Sequence, residues 1–516
     1  MILPGRRPTV VEVAVLVSGV SSMGIEILAG RLLAPAYGSS VFVWGSVIGV
    51  FLAALAAGYW VAGRRAAEHA SAGALALALI GAGAVLAVVI STADGLITAS
   101  QALPLPARFA PLVPATVLFG PPTLLLGFVS PYAAELIEAR STGDASGRVY
   151  AIGTGGSILG AFGTTFLLIP AFDVVWIGLA YALLTTLAGL GVAPRGALGP
   201  RVAAVGATLV IVVAALLAGV GGIAGGGTTI YETETAYQHL RVADSGDVRT
   251  LYLDGVRHSA MDRSNPDRYV FEYTRYFHLP WLFRDDIDRV LFVGGGGFSG
   301  PKRFLREYPG VEVDVVEIDP AVVDAARQYF DVPRTPRLDI TVEDGRVFLA
   351  NTSTTYDVVI LDAYRADRVP YHLTTVEFMR LVRERLDDEG VLVANVISAR
   401  EGGASAFYRA QYRTVDRVFP QVYSFPTTEM TGLQNIMLVA TRNATRIDEA
   451  TLSQRNERRH IGLDLGNAIR HYRAEVETGD APLLTDDYAP VDSLLAEQLG
   501  ERYVVQRTTN RTASPP

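Results

Sequence analysis

Two stretches set the architecture of the C-terminal half: Arg289-Val-Leu-Phe-Val-Gly-Gly-Gly-Gly-Phe-Ser-Gly300 and Val315-Val-Glu-Ile-Asp319. The apolar run 290–293 predicts a buried strand, and the four glycines after it lead into a segment that can open a helix. Glu317 ends a second apolar strand about 20 residues later, where an acidic residue can accept both hydroxyls of a ribose. Because glycine lets the backbone approach a ligand closely, this arrangement predicts a nucleoside-binding βαβ unit.

The segments around this unit alternate between short apolar runs and helical patterns. Strands are predicted at 290–293, 312–318, 338–342, 357–361 and 390–397, and helices at 301–307, 320–330 and 374–386. This alternation is typical of a doubly wound, Rossmann-like α/β domain of the S-adenosylmethionine-methyltransferase type, which we place at 285–442. Ligands of such sheets bind at the carboxyl ends of the strands.

Three acidic residues, Glu317, Asp344 and Asp362, follow consecutive predicted strands. Each alone is as well explained by a helix cap or a loop. Together with the glycines they predict a site for S-adenosylmethionine or a relative: Glu317 for the ribose, Asp344 for the adenine amino group and Asp362 at the reaction centre. We assign Gly294, Gly295 and Gly296 to cofactor binding.

The N-terminal half is strongly apolar. Seven segments approach the ~20 residues that cross a bilayer as helix, at 10–33, 41–63, 72–92, 110–134, 150–172, 174–193 and 203–224. Glycine and alanine on their faces predict close helix packing, and five prolines predict that the fourth segment is kinked or broken. We therefore predict a multi-pass membrane domain at 1–224, followed by a glycine-rich linker at 225–229.

The arginines of this half give an orientation that conflicts with the predicted chemistry. One set of alternate loops holds Arg6, Arg7, Arg64, Arg65, Arg140, Arg148, Arg195 and Arg201, against Arg108 on the other side. The positive-inside rule places the N-terminus in the cytoplasm, so seven spans would leave the C-terminal domain outside. A nucleoside-cofactor enzyme is expected in the cytoplasm. Either one segment does not cross, or the catalytic domain is external.

Composition excludes several classes of function. The first 229 residues carry a net charge of about +2 and the remainder about −10, which argues against a nucleic-acid partner and suits either a cationic substrate or simple solubility. The chain has no cysteine, which excludes disulfides and thiolate metal sites, and we predict no metal. Residues 230–284 read as a small β-rich domain, and 443–516 as a helical and irregular tail.

The chain resembles membrane-fused spermidine synthase-like proteins of the polyamine aminopropyltransferase family. The resemblance covers about 230–442, and more loosely the membrane half. It rests on Ala236-Tyr-Gln-His-Leu-Arg-Val242, Leu253-Asp-Gly-Val256, the glycine loop and the three acids. It implies that decarboxylated S-adenosylmethionine lies on Glu317 and Asp344, that Gln238 approaches it, and that Asp254 forms a turn. Asp362 would then receive the acceptor amine.

Three departures from the family pattern affect the amine-binding ends. Gly297 stands where the family has an aspartate, and Arg365 where it has a second one. Glu272, Tyr273 and Thr274 replace a Tyr-His/Gln-Glu triplet. Tyr237, Tyr364, Asp367 and Asp487 are the remaining candidates for substrate binding. Lys302 and Arg303, after the glycine loop, either bind a carboxylate or phosphate or form the solvated face of a helix.

Three functions stay open. The first is a membrane-bound transferase of alkyl groups other than methyl (EC class 2.5.1), moving an aminopropyl group to a putrescine-like amine. The second is methyl or aminocarboxypropyl transfer from intact S-adenosylmethionine to an acceptor delivered by the membrane. The third, favoured by Glu26 within the first segment, is a polyamine transporter or sensor with a non-catalytic domain. The expected partners are a small amine and the lipid bilayer, and a homodimer is one assembly that the resemblance allows.

Overall fold

The computed structural model describes residues 8–37, 40–103, 105–137, 141–194, 227–266, 268–365, 368–458 and 463–498. The chain divides into two compact units, Met1–Gly225 and Gly226–Pro516. The division falls at the start of the predicted linker.

The N-terminal unit is a helical bundle. Its helices are α1 (Val10–Tyr37), α2 (Val41–His69), α3 (Ala72–Gln101), α4 (Leu112–Leu126), α5 (Val129–Leu136), α6 (Thr142–Gly163) and α7 (Val174–Val192), and a π-helical turn, Thr164–Leu168, extends α6. Taking α4 with α5 and α6 with its extension, the described residues hold six helical segments long and apolar enough to cross a membrane. They correspond to the first six predicted segments.

The seventh predicted segment, 203–224, lies outside the described residues, as do Arg6, Arg7, Arg140, Arg195 and Arg201. The number of spans and the side of the C-terminal unit therefore stay predictions. The proline-rich fourth segment is interrupted as predicted, because α4 ends at Leu126 and α5 begins at Val129. Pro131 is tolerated in the first turn of α5, where a missing N–H removes no hydrogen bond within the helix.

Glycines bring the helix backbones of this unit into contact. A Cβ atom on Gly156 would lie 2.3 Å from the carbonyl oxygen of Leu16, and one on Gly160 would lie 2.3 Å from that of Val20. Gly58 is equally close to Leu124 on α4, at 2.3 Å. The predicted small-residue packing is therefore present at these positions, whereas Gly155 meets no atom within 4 Å.

The C-terminal unit begins with a four-stranded antiparallel meander. It contains β1 (Thr228–Glu234), β2 (His239–Ser245), β3 (Val248–Leu253) and β4 (Val256–Asp262). Asp254, with φ of 48°, and Gly255, with φ of 76°, form the tight turn between β3 and β4. This is the turn that the resemblance implied for Asp254, whose carboxylate also accepts the His239 N–H at 2.9 Å.

The main sheet has seven strands in the order β10-β11-β9-β8-β5-β6-β7. They are β5 (Arg289–Val293), β6 (Glu312–Glu317), β7 (Leu338–Val342), β8 (Tyr356–Leu361), β9 (Leu386–Ser398), β10 (Gln421–Pro426) and β11 (Gln434–Thr441). Strands β5 to β9 are parallel, whereas β10 and β11 form an antiparallel edge. The five predicted strands are all present. The antiparallel pair was missed.

Helices cover both faces of this sheet. They are α8 (Ser299–Glu307), α9 (Pro320–Tyr329), α10 (Gly345–Asn351), α11 (Val376–Arg385), α12 (Ala406–Asp416), α13 (Glu449–Arg458), α14 (Gly466–Arg470) and α15 (Val491–Leu495). A 3₁₀ helix, Glu272–Leu282, precedes β5, and its Tyr276 and Phe277 are buried in the core. Leu240 and Leu251 of the meander pack with Val322 of α9.

Candidate active site

The glycine loop and the predicted acids meet at one edge of the main sheet. Strands β5, β6, β7 and β8 are parallel neighbours, so the residues that follow them converge at their carboxyl ends. One carboxylate oxygen of Glu317 accepts the N–H of Gly295 at 2.8 Å and that of Gly296 at 3.3 Å. Its other oxygen accepts the Asp319 N–H at 3.1 Å. Burial raises the pKa of Glu317, although these three backbone bonds oppose the rise.

Two positions of the loop require glycine. Gly294 has φ of 99° and Gly296 has φ of 49°, both in the left-handed region. A Cβ atom on Gly294 would also lie 2.5 Å from the backbone carbonyl oxygen of Asp362. The glycines therefore let β5 and the end of β8 approach each other, in addition to leaving backbone N–H groups exposed to Glu317.

The packing around Gly297 explains why this position holds no aspartate. Its N–H donates to the hydroxyl of Ser259 at 2.9 Å, and a Cβ atom on Gly297 would lie 2.7 Å from the Ser259 Cβ. Ser259 is buried on β4. An aspartate at position 297 would collide with this side chain, so the loss of the aspartate and the presence of Ser259 are parts of one packing arrangement.

Asp362 follows β8 and is held by an amide relay that the sequence did not reveal. Asn395 on β9 donates its side-chain N–H to Asp362 Oδ1 at 2.7 Å, and Asn435 on β11 donates to Asn395 Oδ1 at 2.9 Å. Burial raises the pKa of Asp362 to about 7, and the bond from Asn395 opposes the rise. A carboxylate with a pKa near neutrality can both accept and release a proton at physiological pH.

Asp344 caps α10 and also binds a histidine. Its Oδ1 accepts the N–H groups of Arg346 and Val347 at 2.9 and 3.1 Å, and its Oδ2 lies 2.8 Å from His372 Nε2. Burial alone would raise the pKa of Asp344, but the bonds from His372 and the backbone outweigh it and lower the pKa. Asp344 is therefore a helix cap, and its assignment to the adenine amino group stays a prediction. His372 had no sequence signal, because it lies in a short 3₁₀ helix, Tyr371–Leu373, 28 residues further along the chain.

The meander contributes a polar loop to the same edge. Thr235 Oγ1 donates to Asp319 Oδ2 at 2.7 Å, and the side-chain amide of Gln238 lies 3.3 Å from the same oxygen. A cavity of about 490 Å³ lies here, with Tyr237 and Asp344 in its wall. Gln238 is thus held toward the predicted cofactor edge, and its approach to the cofactor stays a prediction.

The candidate substrate residues are dispersed. Tyr237 is 39% exposed and lines that cavity. Tyr364 is buried, with its hydroxyl donated to the Leu373 carbonyl at 2.6 Å. Asp487 lies exposed in the turn between Thr485 and Tyr488, and Asp367 lies outside the described residues.

Arg365, at the place of the family's second aspartate, forms a buried ion pair with Asp254. The two side chains are 8% and 9% exposed, and Arg365 Nη1 lies 2.9 Å from Asp254 Oδ2. The charge of the arginine is therefore compensated by the turn of the meander. Within the described residues, no group of three or more His, Asp or Glu side chains could hold a metal ion.

Comparison with known proteins identifies a domain in this half. Residues 271–446 match the model of the spermine/spermidine synthase domain. A polyamine aminopropyltransferase of Vibrio vulnificus is 29% identical over 281 residues, covering 52% of this chain and 92% of the relative. One from Pseudomonas aeruginosa is 27% identical, covering 48% of this chain and 86% of the relative.

Two solved structures that are similar to this chain are named as spermidine synthases. A probable spermidine synthase of Corynebacterium glutamicum has a TM-score of 0.43 at 22% identity, covering 50% of this chain and 96% of its own. Spermidine synthase from Thermotoga maritima has a TM-score of 0.36 at 20% identity, covering 53% and 87%. The C-terminal half of this chain therefore contains a spermine/spermidine synthase domain and is related in sequence to the polyamine aminopropyltransferases, and the described residues N-terminal to it hold six long apolar helical segments.

Proposed function

We propose that the C-terminal half transfers an aminopropyl group from decarboxylated S-adenosylmethionine to a small amine. The observation that carries the proposal is the position of Asp362, a carboxylate with a pKa of about 7, beside a glycine loop whose N–H groups bind Glu317. Its relatives in sequence are named polyamine aminopropyltransferases. Glu317, Asp344 and Gln238, with the glycines 294–296, would hold the adenosyl part.

The chemistry suits a single buried base. An amine with a pKa of ~10 is mostly protonated at neutral pH, so it must lose a proton before it can attack. Asp362 would take that proton and aim the nitrogen at the carbon next to the sulfonium. The new C–N bond forms as the C–S bond breaks, and methylthioadenosine leaves with the electron pair on sulfur. Holding the two reactants in line supplies much of the acceleration.

Intact S-adenosylmethionine, as a methyl or aminocarboxypropyl donor, is the second candidate. Two observations favour it: Ser259 fills the space of the missing aspartate at Gly297, and Arg365 replaces an acid at the acceptor end. Both changes remove negative charge that would hold an amine. We therefore propose an amine as the acceptor without specifying its class. A direct comparison of decarboxylated and intact S-adenosylmethionine distinguishes the two candidate reactions.

The N-terminal helices would anchor this enzyme in the cell membrane. The six apolar segments among the described residues support a multi-pass arrangement by length and composition. We place the catalytic domain in the cytoplasm on chemical grounds, because the adenosyl co-substrate is made there. A homodimer belongs to the same proposal.

Calorimetry with methylthioadenosine tests the nucleoside site. Glu317→Ala should lose most of the affinity, whereas Glu312→Ala, at the other end of the same strand, should keep it. Equal affinity in the two variants would end the assignment of Glu317.

Turnover tests the role of Asp362. Asp362→Asn should abolish turnover and leave the affinity for methylthioadenosine almost unchanged, and retained turnover would remove Asp362 from the mechanism. Mass spectrometry of the products, with decarboxylated and intact co-substrate and a panel of amines, separates the two candidate reactions.

A further inference from the structure

Lys302 is the single lysine among the 44 lysine and arginine residues of the chain. It lies on α8, and for this position the sequence left two alternatives open, a carboxylate or phosphate site and a solvated helix face. The side chain is partly buried: its Nζ donates to the Phe330 carbonyl and lies 3.6 Å from Met261 Sδ. Within the described part of the chain, this ammonium group makes no ion pair with a carboxylate.

The Lys302 side chain lines a cavity of about 400 Å³ next to the glycine loop. Ser259, whose hydroxyl binds the Gly297 N–H, is in the same wall. The cavity is lined by five cationic side chains and, among the described residues, a single acidic one. The cations are Arg268, Lys302, Arg303, Arg306 and Arg337, and the acid is Asp331.

The arginines in the wall of this cavity already bind other groups of the protein. Arg268 lies 2.7 Å from an Asp262 oxygen, and Arg303 lies 2.8 Å from Glu307. Arg337 donates to backbone carbonyls, including that of Val311 at 3.0 Å. Lys302 differs from Arg268 and Arg303, because the groups that its ammonium contacts are uncharged: a backbone carbonyl and a thioether sulfur. Burial lowers the pKa of Lys302 to about 8, with Asp331 opposing the change.

We propose that this cavity, referred to below as the Lys302 cavity, binds a carboxylate or phosphate group that pairs with the ammonium of Lys302. A buried charge is costly unless a counter-charge or a full set of hydrogen bonds compensates it. Lysine presents a compact point charge, unlike the planar arginine fork used everywhere else in this chain. The cationic wall would repel a polyamine.

Two sources can supply this anionic group. One is the carboxylate of intact S-adenosylmethionine, which decarboxylated S-adenosylmethionine lacks; this source rests on the proposed adenosyl site beside Gly297. The other is a separate small anion, for which inorganic phosphate is the probe. Both predict the same change at Lys302, and they differ in which compound produces it.

The single lysine permits a direct measurement. Full-length protein in detergent, labelled with ¹³C at lysine Cε, should give one lysine signal in the NMR spectrum, and that signal should vanish in Lys302→Met. The signal is titrated with pH in the presence of intact S-adenosylmethionine, decarboxylated S-adenosylmethionine or phosphate. We expect an anionic ligand to raise the pKa of Lys302 by about one unit or more, because each unit corresponds to tenfold tighter binding of the protonated form.

Affinity gives a second measurement. Lys302→Met should weaken binding of the effective anion roughly 10- to 100-fold, the usual effect of losing a hydrogen bond to a charged group. Lys302→Arg should retain part of the affinity. Arg380→Met, an exposed position on α11, is the matched control and should change nothing.

The outcomes separate this proposal from the proposed function. A pKa rise with intact but not decarboxylated S-adenosylmethionine assigns the group to the co-substrate, and a rise with phosphate assigns it to a separate anion. If neither intact S-adenosylmethionine nor phosphate moves the signal while methylthioadenosine still binds, the Lys302 cavity is not an anion site. The proposed nucleoside site is then unaffected. If the decarboxylated compound moves the signal as much as the intact one, the carboxylate assignment is wrong. If phosphate moves the signal but methylthioadenosine does not bind, the proposed function is wrong and the anion site in the Lys302 cavity is supported.

Discussion

The bond from Asn395 to Asp362 should set the pH range of the reaction. Asn395 is buried on β9, and its hydrogen bond lowers the pKa of Asp362 against the effect of burial. Replacing it by leucine keeps a similar volume and removes the bond without making room for water. We predict that Asn395→Leu raises the pKa of Asp362 and shifts the activity to higher pH.

The size of the shift follows from the strength of a hydrogen bond to a charged group. Such a bond contributes about 1.5–3 kcal/mol, and one pKa unit corresponds to about 1.36 kcal/mol. The pKa of Asp362 should therefore rise from about 7 to roughly 8–9. At pH 7 the ionised fraction falls from about one half to about 1–10%, so the rate should fall about 5- to 50-fold and recover above pH ~10.

The assay is kcat/KM against pH for both proteins, with product quantified by mass spectrometry. The acceptor amine titrates identically in the two, so it cancels in the ratio of the profiles. Gln434→Leu, which removes a buried amide on β11 that binds Thr428 and Met430, is the control and should lower stability without moving the profile. An unshifted profile in Asn395→Leu, together with a lower melting temperature, would refute the positioning role.

Three further predictions concern stability. Because the pKa of Asp362 is raised to about 7 in the folded state, its ionised form destabilises the protein above that pH, and this penalty disappears as the pH falls toward 4. Asp362→Asn should therefore raise the stability at pH 8 by about 1–4 kcal/mol and change it little at pH 4, as thermal unfolding would measure; equal gains at both pH values would contradict the raised pKa. Gly297→Asp should cost about 1–3 kcal/mol by overpacking against Ser259, and Ser259→Gly should restore most of it in a double-mutant cycle; additive losses would argue against the contact. Tyr364→Phe should lose about 1 kcal/mol with its bond to Leu373 and leave KM for the amine unchanged, whereas a raised KM would place Tyr364 at the substrate.

The cluster of glycines and acids at one edge of the main sheet was predictable because its signals are local. The four glycines after an apolar run, Glu317 at the end of the next strand and Asp362 at the end of another are each visible within a few residues. Parallel neighbours in a doubly wound sheet bring such ends together, so the sequence pattern was enough to predict the cluster. The same reasoning predicted six of the helical segments, because length and apolarity alone determine which helices suit a bilayer.

Contacts between distant segments were not predictable from local pattern. Asn395 and Asn435 reach Asp362 only because β9 lies beside β8 and β11 beside β9. The antiparallel edge that carries Asn435 has no run of glycines and no acid directly after a strand to mark it. His372 reaches Asp344 from a short 3₁₀ helix, and Arg365 pairs with Asp254 in the meander, 111 residues earlier.

By itself, the sequence determined that the chain has an apolar helical half and an α/β half with a glycine loop and strand-end acids. These properties depend on residue type and short-range periodicity, and both can be read directly from the amino-acid sequence. Only the tertiary structure decided the electrostatics of the site: burial raised the pKa of Asp362, Ser259 occupied the space at Gly297, and folding placed the one lysine in a cavity where, within the described residues, it forms no ion pair with a carboxylate. Burial and hydrogen-bond partners come from segments far apart in the chain, so their effects arise only when those segments pack together.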